Sequence, residues 1–275
     1  MAGFLSDAFS ILQYPFMQRA LVAGLAIGFL CAVIGVFVTL RSMSFFSDAI
    51  AHAALAGIAL GVLLGMDPVL AAVIFCVVVA LGITYLTVRT ELTSDTVIGV
   101  FFSGSMALGV LVIGFQKGYQ TDLLSYLFGD ILSVSDLDVV LALALTTLVV
   151  GLIFWRSTLL IKVALNRDLA QVEGVNAVAW DYLFMVLLAL TVSVSLRIVG
   201  IVLVSALIIV PAAAARNLAR DFRGLMGMAA AIGLVSAVVG LVASFYTDTP
   251  SGPTIVLMAI VIFVASFLGR LRRRM

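Results

Sequence analysis

Runs of about eighteen or more apolar residues recur along almost the whole length of this 275-residue chain, and such runs are typical of transmembrane helices. Hydrophobic residues make up 64% of the sequence and charged residues only 11%, whereas a soluble domain carries about a quarter charged residues. Such a chain cannot cover itself with a polar surface, so its surroundings must be lipid. The sequence therefore predicts an all-α, polytopic transmembrane helical bundle that forms one domain over residues 1–275.

Nine hydrophobic segments are separated by short polar or helix-breaking stretches. Two of the breaks are turns rich in glycine and proline, at residues 65–68 and 250–253. The stretch 181–215 holds two helices only if a tight hairpin forms near Arg197, so the sequence predicts eight or nine spans. These predicted spans cover residues 17–40, 49–65, 68–88, 96–115, 139–155, 181–196, 198–215, 224–246 and 253–269.

The basic residues indicate how the chain is oriented, because Lys and Arg accumulate in cytoplasmic loops. If the C-terminal tail is cytoplasmic, twelve of the fifteen basic residues fall inside and three outside. This split predicts a multi-pass protein of the cell membrane with a cytoplasmic C-terminus, and an odd number of spans would put the N-terminus outside. The inside set is Arg41, Arg89, Arg156, Lys162, Arg167, Arg216, Arg220, Arg223, Arg270, Arg272, Arg273 and Arg274, and the outside set is Arg19, Lys117 and Arg197.

Ionisable side chains enter a predicted span at Asp48 and His52, and His52 is the one histidine of the protein. Residues four apart share one face of a helix, and a carboxylate beside an imidazole suits Mn²⁺, Fe²⁺ or Zn²⁺ better than Mg²⁺ or Ca²⁺. If the helix is already running at Arg41, His52 lies about 16 Å further along it, near the middle of the hydrocarbon core. Two ligands are too few for a closed structural site, so the pair predicts a transient stop on a transport pathway.

Small residues form the neighbouring column of the same helix, at Ala49, Ala53, Gly57 and Gly61. Such a column lets a second helix approach closely and predicts that protein, not lipid, encloses the Asp48/His52 face. A plainer alternative stays open: if the helix begins only at Ala49, Asp48 is an ordinary N-cap and His52 merely hydrogen-bonds a neighbouring helix.

The sequence lacks two motifs that would indicate catalysis, one for nucleotide phosphate binding and one for metalloproteases. The chain has no GxxxxGK(S/T) phosphate loop and no HExxH metalloprotease motif, so we expect a transport subunit, not an enzyme, and no permanently bound cofactor. Cys31 and Cys76 lie inside apolar runs without a metal-binding spacing, which favours small core residues over ligands.

The residues around the Asp48/His52 pair, MSFFSDAIAHAALAG at 43–57, resemble the signature of the manganese/zinc/iron-type permeases of bacterial ABC importers. The resemblance extends to YPFMQRA at 14–20, to DLLSYLFGDIL at 122–132 and to VGIVLVSALIIVPA at 199–212. It implies that Asp48 and His52 line the translocation path and bind the metal. It also implies a homodimeric pair of permeases, two separate ATPase subunits and an extracytoplasmic metal-binding protein. The segment 122–132 looks more like the zinc members of the family, so zinc is favoured over manganese and iron as the transported ion.

Residues 156–180 form the longest predicted cytoplasmic loop, with a short helical unit near its centre. Asp168, Ala170, Glu173 and Gly174 in this unit resemble the coupling segment by which the family contacts its ATPase, and a helix that ends at glycine suits a stiff lever. The alternative for this loop is a solvated helix without a partner. For the whole chain the alternatives are a proton-coupled secondary metal transporter, in which Asp48 and His52 relay protons, and an intramembrane enzyme.

Overall fold

The computed structural model describes residues 14–115, 129 and 131–272, and every regular element within these ranges is helical, which confirms the predicted all-α fold. A single 3₁₀ turn, Ile131–Ser133, lies between the fourth and fifth α-helices. In chain order the helices are α1 (Pro15–Leu40), α2 (Ser44–Leu64), α3 (Pro68–Arg89), α4 (Ser94–Phe115), α5 (Asp136–Trp155), α6 (Ser157–Leu165), α7 (Arg167–Val172), α8 (Ala177–Val199), α9 (Ile201–Leu218), α10 (Phe222–Thr247) and α11 (Ser251–Arg272).

Eight of these helices are long and apolar enough to cross a membrane, namely α1 to α5, α8, α10 and α11. A ninth apolar helix, α9, is shorter, with its apolar part at Leu203–Leu218. The sequence left eight or nine spans open. The described part of the chain has eight helices of full membrane-spanning length and one shorter apolar helix.

The two turns predicted from glycine and proline differ in detail. Gly65 ends α2 with a left-handed backbone, φ 67°, and the Asp67 carboxylate accepts a hydrogen bond from the Leu70 amide to cap α3. At the second turn the left-handed residue is Asp248, φ 52°, and α11 already begins at Ser251. The first turn of α11 thus contains residues that the sequence assigned to the connection.

Only Gly200 separates α8 from α9. Its backbone, at φ 95° and ψ 156°, belongs to a region that glycine adopts without steric cost, so the break falls three residues after Arg197. Gly129 lies against this break, and a Cβ atom on Gly129 would come within 2.3 Å of the Val199 carbonyl carbon. Most of the segment 122–132, at residues 122–128 and 130, lies outside the described residues.

The centre of the bundle is formed by α1, α8 and α2. About 78%, 67% and 61% of the residues in their apolar windows are buried, against 22% for α5 and α11. Helix α1 packs closely on α10, where a Cβ atom on Gly233 would lie 2.5 Å from the Gly28 carbonyl oxygen. Helix α2 packs mainly against α3 and α4, so its neighbours decide what surrounds Asp48 and His52.

Ion pairs within the described residues fall into two groups by the helix ends that they join. One group joins the start of α5 to the start of α1 and the end of α8, and the other joins the end of α1 to the α6–α8 region. This grouping separates Arg19 and Arg197 from the basic residues assigned to the cytoplasm, while the side on which each end lies stays a prediction. The pairs are Arg19–Asp136 (3.5 Å) and Arg197–Asp138 (2.8 Å) in the first group, and Arg41–Asp181 (2.7 Å), Arg167–Asp181 (3.3 Å) and Lys162–Glu173 (2.5 Å) in the second.

Candidate functional site

Helix α2 begins at Ser44, with Met43 as its N-cap residue. Asp48 is therefore the fifth residue of the helix, which excludes the alternative that it is an N-cap. The helix does not extend back to Arg41, so the predicted depth of His52 needs correction: it lies about 12 Å from the first residue of α2, not 16 Å. His52 is nevertheless close to the middle of this 21-residue helix.

The His52 ring is held by the backbone of its own helix. Nδ1 of His52 lies 2.9 Å from the carbonyl oxygen of Asp48. A carbonyl oxygen can only accept a hydrogen bond, so Nδ1 carries the proton and donates it. The lone pair of the neutral imidazole is then on Nε2, which is the arrangement that prepares a histidine for metal binding.

Helix α4 covers the face of α2 that carries the pair. The Phe102 ring meets the His52 ring edge-on, with the ring centroids 4.6 Å apart. One turn further along α2, the Ala56 Cα lies 3.3 Å from where a Cβ atom on Gly109 would be. Asp48 and His52 are both half-buried, so the pair stays accessible although α4 lies beside it.

The atoms of the pair that could bind a metal have no partner within the described residues. None of the hydrogen bonds or ion pairs found there involves the Asp48 carboxylate or His52 Nε2. The same residues contain no group of three or more His, Cys, Asp or Glu side chains that could hold a metal ion. The described residues of one chain thus bring together two potential ligands, Asp48 and His52, at this place.

The column of small residues lets a second helix approach closely, as predicted, and that helix is α3. Ala49 and Ala53 are fully buried, and a Cβ atom on Gly57 would lie 2.7 Å from the Cα of Ala72 in α3. Gly61 is equally close to α3, since its Cβ would lie 2.7 Å from the Ala71 Cβ. The small residues therefore bring α3 against α2, while α4 borders Asp48 and His52.

The predicted coupling segment, residues 156–180, contains two short helices, α6 and α7, and the start of α8. The Asn166 side chain caps α7 by accepting a hydrogen bond from the Leu169 amide, and Glu173 pairs with Lys162 of α6. Gly174 ends α7 with φ 82°, and the Val175 amide donates to the Ala170 carbonyl oxygen at 3.0 Å. These contacts hold α6, α7 and the Gly174 turn together as one unit.

The surface of this unit differs from the sequence prediction at one residue. Asp168, Glu173 and Gly174 are exposed, but Ala170 is 2% exposed and packs inward against Val163 and Ala177. Ala170 thus packs within the unit, and the assignment of these residues to an ATPase contact stays a prediction. The exposed side is unexpectedly apolar, with Leu165, Leu169 and Val172 exposed by 69%, 59% and 89%.

Comparison with known proteins identifies the family. The profile of the ABC 3 transport family matches residues 13–270. The chain belongs to the ABC 3 transport family. It is 34% identical over 265 residues to the high-affinity zinc uptake system membrane protein ZnuB of Haemophilus influenzae, covering 94% of this chain and 100% of that protein. It is 37% identical over 260 residues to the manganese transport system membrane protein MntC of Listeria innocua, covering 94% and 92%.

A solved structure agrees with the family assignment. PsaBC from Streptococcus pneumoniae in complex with Fab matches with a TM-score of 0.84 and 34% identity, over 96% of this chain and 95% of that chain. The resemblance based on residues 43–57 is thus confirmed, and this family member is a multi-pass membrane permease subunit, not the ATPase. Membership decides against the proton-coupled secondary transporter and the intramembrane enzyme.

The permease also contains a partly buried ionic cluster that the sequence did not predict. The Asp181 carboxylate of α8 accepts a hydrogen bond from Arg41 Nη1 at 2.7 Å and lies 3.3 Å from Arg167 Nε. Arg41 ends α1 just before the Asp48/His52 helix, and Arg167 is the first residue of α7. Burial lowers the pKa of the Arg41 guanidinium, whereas the Asp181 charge raises it. The position of Asp181 at the start of a predicted span was a sequence signal for an ion pair, but its partner Arg41 lies 140 residues away and could not be identified from the sequence.

Proposed function

We propose that this protein is the permease of an ABC importer for a divalent transition metal, and that Asp48 and His52 are transient ligands of the ion that it carries. The His52–Asp48 geometry is the observation on which the proposal depends. A backbone carbonyl fixes the tautomer of His52, so Nε2 and a carboxylate one helical turn apart are both available to a cation. A carboxylate oxygen with an imidazole nitrogen suits zinc, manganese and iron.

The small number of ligands supports transport over storage. A structural zinc site uses four protein ligands, whereas the described residues of one chain bring together two. A second copy of the permease that presents its own Asp48 and His52 would complete four ligands at the boundary between the copies. Separation of the copies would then open the site, so we propose that the permease works as a homodimer.

Zinc is the proposed cargo, ahead of manganese and iron. The support is the zinc-like segment 122–132 and the likeness to a zinc uptake protein, although a manganese transport protein has similar identity. Uptake of radioactive zinc in competition with unlabelled zinc, manganese or iron tests this choice. If manganese competes better than zinc, manganese is the cargo, and the Asp48/His52 assignment is unaffected.

The proposed partners are a separate ATPase subunit and an extracytoplasmic metal-binding protein. The apolar side chains of Leu165, Leu169 and Val172 are exposed on a segment whose opposite side packs against Val163 and Ala177. Exposed apolar patches of this kind mark contact surfaces. We propose that this patch contacts the ATPase, at the end of the bundle that the basic residues assign to the cytoplasm.

Metal uptake by matched carboxylate variants tests the function directly. Asp48→Asn removes the proposed ligand charge, while Asp67→Asn removes a carboxylate from the N-cap of α3 and keeps a residue that can cap a helix. In cells without other metal importers, we expect uptake to be lost in Asp48→Asn and retained in Asp67→Asn, at equal amounts of protein in the membrane. Normal uptake by Asp48→Asn would remove the site from the pathway.

A further inference from the structure

A cavity of about 210 Å³ is lined by Arg41, Asp181 and Arg167. Its wall is formed by the α1–α2 connection, the end of α3, the start of α4 and the segment from α6 to α8. The wall therefore includes both the residue that closes α1 before the Asp48/His52 helix and the first residue of the coupling helix. The polar residues that line it are Arg41, Thr84, Thr87, Ser94, Arg167 and Asp181.

The charges around this cavity do not balance. Two guanidinium groups share one carboxylate, which leaves one net positive charge because arginine stays protonated in proteins. The Arg41 side chain is only 7% exposed and the Asp181 side chain 14%, whereas Arg167 is 36% exposed. Buried charges are ordinarily paired, and Asp181 is the one carboxylate among the described residues that line the cavity, so the cluster has room for a second anion.

Hydrogen-bond donors around the cavity are also left without acceptors. Within the described residues, Arg41 Nε and Nη2, Arg167 Nε and Thr87 Oγ1 are buried and have no hydrogen-bond partner. Arg167 Nε lies within ion-pair distance of Asp181 but is not aligned as a hydrogen bond. Unsatisfied buried donors are rare in native proteins and call for a ligand or water that satisfies them.

We propose that this cavity binds an oxyanion of the phosphate class, either free inorganic phosphate or the phosphate group of an anionic lipid. The ligand supplies the missing negative charge and several acceptor oxygens at once. Guanidinium groups hold phosphate through paired N–H donors. Arg41 and Arg167 both line the cavity, and Arg41 Nε and Nη2 have no acceptor within the described residues. A bound oxyanion would bridge the α1–α2 connection to the start of α7. The assignment does not depend on metal transport.

Phosphate binding to the full-length chain in nanodiscs of zwitterionic lipid tests the proposal. Arg167→Gln removes the excess charge from the more exposed side of the cavity, where misfolding is least expected, and the control Arg220→Gln removes an exposed charge elsewhere. We expect saturable binding of radioactive phosphate, weakened at least about tenfold by Arg167→Gln, as for loss of a charge-assisted hydrogen bond. Arg220→Gln should bind as the unaltered protein does, and Asp181→Asn should bind more tightly because it adds net positive charge.

Native mass spectrometry separates the two sources of the phosphate group. If an anionic lipid is the ligand, phosphatidylglycerol should stay bound to the unaltered protein and to Arg220→Gln but dissociate from Arg167→Gln, while phosphatidylcholine shows no such difference. If free phosphate is the ligand, it should bind in the absence of anionic lipid. The proposal is overturned if neither free phosphate nor the anionic lipid binds in an Arg167-dependent manner. It is also overturned if only the ATPase subunit occupies this cavity, since a carboxylate of that partner would then be the anion.

Discussion

The Nδ1 atom of His52 donates its proton to the backbone carbonyl of Asp48, 2.9 Å away. This bond links the two candidate ligands in a way that their four-residue spacing alone does not reveal. It orients the imidazole and leaves Nε2 as the ring atom that could bind a metal, while the Asp48 carboxylate has no partner within the described residues. Because the backbone provides the orienting acceptor, the carboxylate can be altered without changing the histidine tautomer. The two ligands can therefore be tested separately.

His52→Asn separates the orienting bond from the ligand atom. The asparagine amide can still donate to the Asp48 carbonyl, but it has no atom at the Nε2 position. We expect metal uptake to fall by more than about tenfold, because loss of groups around a metal commonly costs this much, with normal amounts of protein in the membrane. Full uptake by this variant would show that Nε2 is not a ligand.

Asp48→Asn tests the charge of the second ligand. The amide keeps the shape of the side chain but lacks the negative charge that attracts a divalent ion, so uptake should again fall by at least about tenfold. Thermal unfolding in detergent should be little changed, because no ion pair of Asp48 exists within the described residues. A large loss of thermal stability would instead indicate a structural carboxylate.

Metal uptake should decrease as the external pH is lowered. A histidine ligand must be neutral, and a proton that binds Nε2 competes directly with the metal. The sign is opposite to that of a proton-coupled symporter, which acidification accelerates. Uptake measured over a pH series at constant free metal and ATP checks the sign, and the residual uptake of His52→Asn should lose most of this pH dependence. Faster uptake at low pH would contradict a His52 ligand that is reachable from outside.

The helical fold could be predicted because lipid imposes it locally. Each span must satisfy its own backbone hydrogen bonds and cover itself with apolar side chains. Every membrane-spanning helix therefore corresponds to a run of apolar residues in the sequence. The Asp48/His52 pair was predictable for the same reason, since a four-residue spacing is local. The start of α2 was not, because it depends on the connection at Arg41, which Asp181 holds from 140 residues away. Likewise, no local signal indicated that Gly129 lies against the Val199–Gly200 break.

The buried Arg41–Asp181 pair should matter for stability, whereas the exposed Arg19–Asp136 pair should not. Arg41→Gln leaves Asp181 buried with only Arg167 at 3.3 Å, and breaking a buried pair costs about 3 kcal/mol or more. Asp136 is 89% exposed, so Arg19→Gln should cost less than about 1 kcal/mol. Thermal unfolding of both variants in the same detergent provides the comparison. Equal losses would mean that burial does not distinguish the two pairs.

The Gly174 turn provides the sharpest test of the coupling segment. A Cβ atom at Gly174 would meet nothing within 4 Å, so a substitution there acts through the backbone, whose φ of 82° costs an L-residue about 1–2 kcal/mol. Gly174→Val should therefore distort the end of α7 and abolish metal-stimulated ATP hydrolysis by the assembled transporter, while Gly174→Asn, a residue that tolerates this conformation, should retain it. Both variants should insert normally and keep the Asp48/His52 site.

The exposed apolar surface of the coupling segment predicts that a cysteine at Val172, which is 89% exposed, crosslinks to the ATPase, whereas one at buried Ala170 does not. Crosslinks from Arg89 or Arg220 in place of Val172 would assign the ATPase contact to a different loop.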